Sequence, residues 1–139
     1  MSNLNSSTIP ITPKVQMKGN APNILLLVRE VLKKYNIFGC FPIDVLKIAF
    51  GEGIHVIKNS DIHDLKSGEY GKMYYNFDRD KTIFIYDDSQ TVDSSRFTIA
   101  HELGHYFLNH KDVLDRGDRD FEKEADLFST YLLMRGNKV

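Results

Sequence analysis

From Asn23 the chain carries apolar residues at Ile24, Leu27, Val28, Val31, Leu32 and Tyr35, the spacing of one helix face, and the run opens on Pro22 and a capping-type Asn23. Phe38 to Pro42 reads as a turn, and Ile43 to Phe50 as a short helix closed by Gly51-Glu52-Gly53. The pattern then changes period. Ile54 to Lys58 reads as a strand, and Lys72 to Phe77 and Lys81 to Tyr86, rich in aromatic and β-branched residues around Asp78-Arg79-Asp80, read as a β-hairpin. Helical spacing returns from Ser95 to His110, with Asp93 or Ser94 as the expected N-cap, and again from Phe121 to Met134 through Phe121, Ala125, Phe128 and Leu132. The predicted order is helix, helix, strand, strand, strand, helix, helix. This is an α+β domain with a small antiparallel sheet beside the penultimate helix, and the strand Lys81 to Tyr86 is expected at the sheet edge.

Composition narrows the class. The 139 residues, 42% of them hydrophobic, suffice for one core and not for two ordinary domains, so residues 21–139 are expected to form one domain. Residues 1–20 are rich in Ser, Asn, Thr and Pro with no periodicity, and read as a disordered tail. A formal net charge of −1 supplies no basic field for phosphate backbones, so direct nucleic-acid binding is not expected. No apolar run approaches the length of a membrane span, and no secretion signal opens the chain. Cys40 is the only cysteine and reads as a small core residue; a reducing cytoplasm fits.

The chemistry sits in the penultimate helix, at His101-Glu102-Leu103-Gly104-His105. Residues four apart on a helix share a face, so both imidazoles point at one metal ion, while Ile99, Ala100, Leu103, Tyr106 and Phe107 cluster on the opposite side. Neutral imidazole suits zinc, and an acid beside the metal, Glu102, suits proton transfer from an activated water. A catalytic site needs a third protein ligand. His110 is excluded on helical geometry, falling about 140° from His105 on the apolar side. The metzincin continuation is absent, since Leu108 and Lys111 stand where that pattern has glycine and histidine. Glu122 and Glu124 compete, and Glu122 is favoured because Asp126, one turn later on its face, is placed to accept the remaining N–H of a ligand histidine; Glu124 is expected to be a solvated surface charge. Glycine at 104 costs roughly 1 kcal/mol inside a helix, which close approach of the second ligand-bearing helix would offset. Tyr70, Tyr74, Tyr75 and Tyr106 are candidate oxyanion donors.

The run Arg96 to His105, then Glu122-Lys123-Glu124-Ala125-Asp126, then Leu132-Leu133-Met134, resembles the ImmA/IrrE family of zinc metallopeptidases. The resemblance extends from about Ile24 onward and is most specific in the two-helix block. It implies a zincin-like domain similar to thermolysin around the metal, Zn2+ held by His101, His105 and Glu122, and Glu102 as catalytic base. It also implies a protein substrate, for some members a helix-turn-helix repressor of a phage, mobile element or stress response. The chain departs from the family at Asp126, where Asn is frequent, at Arg135, where Pro is frequent, and in ending at Val139, where members generally continue. The rival expectation is a metal-containing regulatory or toxin–antitoxin-type binding module that hydrolyses nothing.

Overall fold

The computed structural model describes residues 21–39, 42–110 and 119–135. The expected tail at residues 1–20, Cys40 and most of the connector before the last helix lie outside the described residues. In chain order the elements are α1 (Ala21–Lys34), α2 (Val45–Gly51), β1 (His55–Lys58), α3 (Asn59–Ile62), β2 (Gly71–Asn76), β3 (Lys81–Tyr86), α4 (Val92–Phe107) and α5 (Arg119–Arg135). The fold is α+β, as the sequence pattern predicts, with the single-turn α3 added. Among the described residues no helix is long and apolar enough to cross a membrane.

The sheet is mixed rather than antiparallel. Its strand order is β1-β3-β2, with β1 parallel to β3 (His55 opposite Ile83) and β2 antiparallel to it (Met73 opposite Phe84). The segment between β1 and β2 carries the chain past the position reserved for β3, so the hairpin partner lands between them. The strand expected at the edge, Lys81 to Tyr86, is therefore the central one, and β2 takes an edge. A signal for this stood in the sequence: Ile83-Phe84-Ile85 is a continuous apolar run, as strands covered on both faces have, and Phe84 and Ile85 are buried.

One core joins the layers. Ile24, Leu27, Val28, Val31 and Leu32 of α1 meet Ile48 and Ala49 of α2, Phe84 of β3, Ile99, Leu103 and Phe107 of α4, and Phe128 and Leu132 of α5. The rings of Phe107 and Phe128 stack at 5.8 Å. Helix α4 begins one turn before the expected point, because Thr91 is the cap: its hydroxyl oxygen accepts the Ser94 N–H at 3.1 Å, while Asp93 lies in the first turn, where the helix dipole favours an acid. Two ties fix α4 to the other helices. The Arg96 guanidinium donates to the Ile43 carbonyl at 2.6 Å, and the Tyr106 hydroxyl donates to Glu52 at 2.8 Å, a carboxylate that also accepts from Tyr35 and pairs with Lys34 at 2.7 Å.

Helices α4 and α5 meet most closely at Gly104. A Cβ there would lie 3.0 Å from the Cα and the carbonyl oxygen of Ala125 and 3.1 Å from Cβ of Phe128. Two of these atoms are backbone and cannot swing aside. Gly104→Val is expected to lower stability by about 2–3 kcal/mol in urea unfolding, because overpacking outweighs the gain from replacing glycine. An unchanged midpoint would remove the close-approach explanation for this glycine.

Candidate metal centre

The crossing at Gly104 sets the first turns of α5 opposite the histidines of α4. His101 Nε2 lies 2.9 Å from Glu122 Oε1, and His105 Nε2 lies 3.1 Å from Glu122 Oε2. One atom from each of the three residues falls within 4.8 Å of the others. The other ring nitrogens are occupied from behind: His101 Nδ1 by Asp126 at 2.8 Å and His105 Nδ1 by His110 Nδ1 at 2.8 Å. With both Nδ1 atoms engaged, the two Nε2 lone pairs and one carboxylate are left to converge, a donor set that fits a divalent cation. Burial, and next the charge of His101, hold the His105 imidazole well below its ordinary range, at about 4, so it is neutral and able to donate a lone pair.

Glu102 lies in the same cleft and is almost fully buried. It sits under the start of β2. A Cβ at Gly71 would be 2.4 Å from the Thr98 methyl and 3.1 Å from Glu102 Oε2, so a side chain there would press on both. The cleft, about 770 Å³, runs between β2 and α4 and is lined by Lys66, Tyr70, Gly71, Tyr74, Phe97 and Thr98 beside the metal-facing residues.

Sequence reasoning misplaced two side chains, and two of its four candidate oxyanion donors lie away from the cleft. His110 is not on a continuing helix: α4 ends at Phe107, Asn109 adopts a left-handed φ of 63°, and the turn brings His110 back against His105. Glu124 is not a solvated surface charge, since its carboxylate is largely buried and lies 2.9 Å from His110 Nε2. Tyr106 points to Glu52 and Tyr75 to Asp80, and neither lines the cleft, whereas Tyr70 and Tyr74 do.

A family model described as the IrrE N-terminal-like domain, of a peptidase family, matches residues 51–138. The chain belongs to the ImmA/IrrE family. No curated protein matches it in sequence. Membership makes this a domain of metallopeptidase type, and the His101, His105 and Glu122 cluster is one that could hold a metal ion. The matched span starts at the end of α2 and contains the sheet, α4 and α5, so every cleft residue lies inside the ImmA/IrrE-like region.

The buried acid of this ImmA/IrrE member gives a testable linkage. Burial, and then the charge of Glu122, push the Glu102 carboxyl up from 4.5 to about 8 in the metal-free protein. The folded state then binds more protons than the unfolded state between those values, so Glu102 lowers stability as pH rises through that window. Glutamine has no charge to lose. Chelator-treated Glu102→Gln should exceed chelator-treated wild type in stability by a few kcal/mol at pH 8, and the two should converge near pH 4.5. Parallel pH–stability curves for the two proteins would show that Glu102 is ionised without cost in the fold.

Proposed function

We propose that the chain is a zinc-dependent metalloendopeptidase that hydrolyses peptide bonds of a protein substrate, for which a helix-turn-helix transcriptional repressor of a phage or mobile element is our candidate. The observation that carries the reading is the convergence of His101 Nε2, His105 Nε2 and the Glu122 carboxylate on one point, with buried Glu102 in the same cleft. Two imidazoles and one carboxylate are a common ligand set of catalytic zinc. Bound there, zinc would polarise the scissile carbonyl and acidify a water molecule.

The remaining work falls to side chains and backbone of this chain. Glu102 takes the proton of the attacking water and returns it to the leaving amine, which conserves protons over the cycle. In the metal-free protein burial keeps this carboxyl protonated up to about pH 8; a cation held beside it would favour the carboxylate, the form that takes the proton. Tyr70, exposed at the mouth of the cleft, is our candidate for a donor to the developing oxyanion.

Substrate is held along β2. The Asp87 N–H donates to the Tyr70 carbonyl at 2.9 Å, which fixes the alternation of the β2–β3 ladder: Lys72, Tyr74 and Asn76 bond inward, and Gly71, Met73 and Tyr75 direct N–H and C=O away from β3. An extended peptide pairing with that edge lies across the cleft beside the metal-facing residues. With a cytoplasmic repressor as substrate, the chain acts in the cytoplasm and touches DNA only through its partner.

The test separates peptidase from binding module. Wild type should hold about one zinc per chain by elemental analysis, Glu122→Gln should lose it, and Glu102→Gln should keep it. Cleavage of a candidate helix-turn-helix repressor should fall by about 10²- to 10⁴-fold in Glu102→Gln, because both proton transfers lose their carrier. Equal cleavage by the two proteins would remove the mechanism. Repressor binding without cleavage would favour the regulatory module.

A further inference from the structure

Three features lie outside the reaction: a cavity between α2 and the start of α4, the Glu52 cluster, and the pair His110 and Glu124. Nothing among the described residues shows what fills the cavity, and the Glu52 cluster ties helices together far from the cleft. The third is a chain of bonds that ends on a metal-facing residue.

His110 is buried, and its ring stacks on Phe121 with centroids 4.1 Å apart and planes 5° from parallel. Its Nε2 lies 2.9 Å from Glu124 Oε1, and its Nδ1 lies 2.8 Å from His105 Nδ1. Between two imidazole nitrogens only one carries the shared proton, and the bond does not say which. Glu124 breaks the symmetry. A carboxylate accepts and does not donate, so His110 Nε2 carries a proton, and in the neutral form of the ring Nδ1 is then an acceptor. His105 Nδ1 must then be the donor, and His105 Nε2 keeps the lone pair that faces Glu122.

We infer that Glu124 and His110 form a relay that sets the tautomer of His105 and aims its Nε2 at the metal. Both are positioning residues, since neither contacts the metal point or the cleft. The geometry depends on Asn109, whose left-handed turn folds His110 under His105, and on α5, which delivers Phe121 and Glu124 to the two sides of the His110 ring. His101 gets the same service from Asp126 directly. The inference rests on the proposed metal site and adds the means by which its more buried ligand is oriented.

Zinc affinity, measured by competition with a chromophoric chelator, and the melting temperature of the metal-free protein test the relay in wild type, His110→Phe, His110→Asn and Glu124→Leu. Phenylalanine keeps the stack on Phe121 and removes the acceptor, whereas asparagine offers an amide oxygen near the Nδ1 position. His110→Phe should weaken zinc binding by about 10- to 100-fold, His110→Asn should recover most of that loss, and Glu124→Leu should fall between. If His110→Phe does not fold, the asparagine and leucine variants decide, because wild-type affinity in Glu124→Leu, which has no acceptor for His110 Nε2, overturns the relay. Equal losses in His110→Phe and His110→Asn, tracking a lower metal-free melting temperature, also overturn it and reduce His110 to packing. Failure of wild type to bind zinc would remove the metal site itself, whereas wild-type affinity in every variant would remove the relay and leave the metal site standing.

Discussion

Everything chemical in this molecule depends on how closely α5 crosses α4. The metal-facing nitrogens belong to one helix and the carboxylate to the other, so their separation is an interhelical distance. Glycine at 104 allows the Ala125 backbone to approach until Glu122, three residues earlier, reaches both Nε2 atoms. Larger side chains at the crossing would move the carboxylate outward by the same increment. The loss of helix propensity at Gly104, about 1 kcal/mol, is small beside the rigidity that the stacked Phe107 and Phe128 rings supply one turn away.

That crossing would be of little use if α4 could slide or roll. It is held at both ends, by the Thr91 cap and the Arg96 bond to the Ile43 carbonyl at its start, and by Tyr106 on Glu52 toward its end. Burial raises the Tyr106 pKa, and the Glu52 charge raises it further, so the hydroxyl stays protonated and donating. The same helix is covered on nearly every side: Ile99, Ala100, Leu103 and Phe107 by the core, Glu102 by β2, Gly104 by α5 and His105 by His110.

This explains what could be read from the sequence. Helices α1, α2 and α5 and the β2–β3 hairpin carry period signals because each has one buried face. His101, His105 and Glu102 were legible through spacing alone, and Glu122 and Asp126 through their placement one turn apart. Strand order was not, because pairing between β1 and β3 is a long-range fact that no local period encodes. Glu124 and His110 were misplaced for a related reason. His110 was judged by extending an ideal helix that in fact ends at Phe107, three residues short, before the left-handed Asn109, and Glu124 by the lack of an acid one turn later on its own helix, which says nothing of the histidine this turn brings to it. Asparagine is among the few residues that adopt that conformation readily, so its position before His110 was the one available hint.

The two metal-facing histidines have different partners because they stand at different depths. His101 is near the surface, and the carboxylate behind it, Asp126, is more than half exposed, so water shares the cost of its charge. His105 is buried, with its side chain 4% exposed, and Glu102 and Glu122 already place two acids around it. A third carboxylate packed directly on His105 would add like charge to a dry space and pay desolvation with no cation on its own side. An imidazole between them sets Glu124, itself largely buried, one ring further from those two acids, while keeping a hydrogen bond on His105 Nδ1. On this reasoning the His110 stack against Phe121 is part of the same solution, since an aromatic wall costs little to place beside a neutral imidazole.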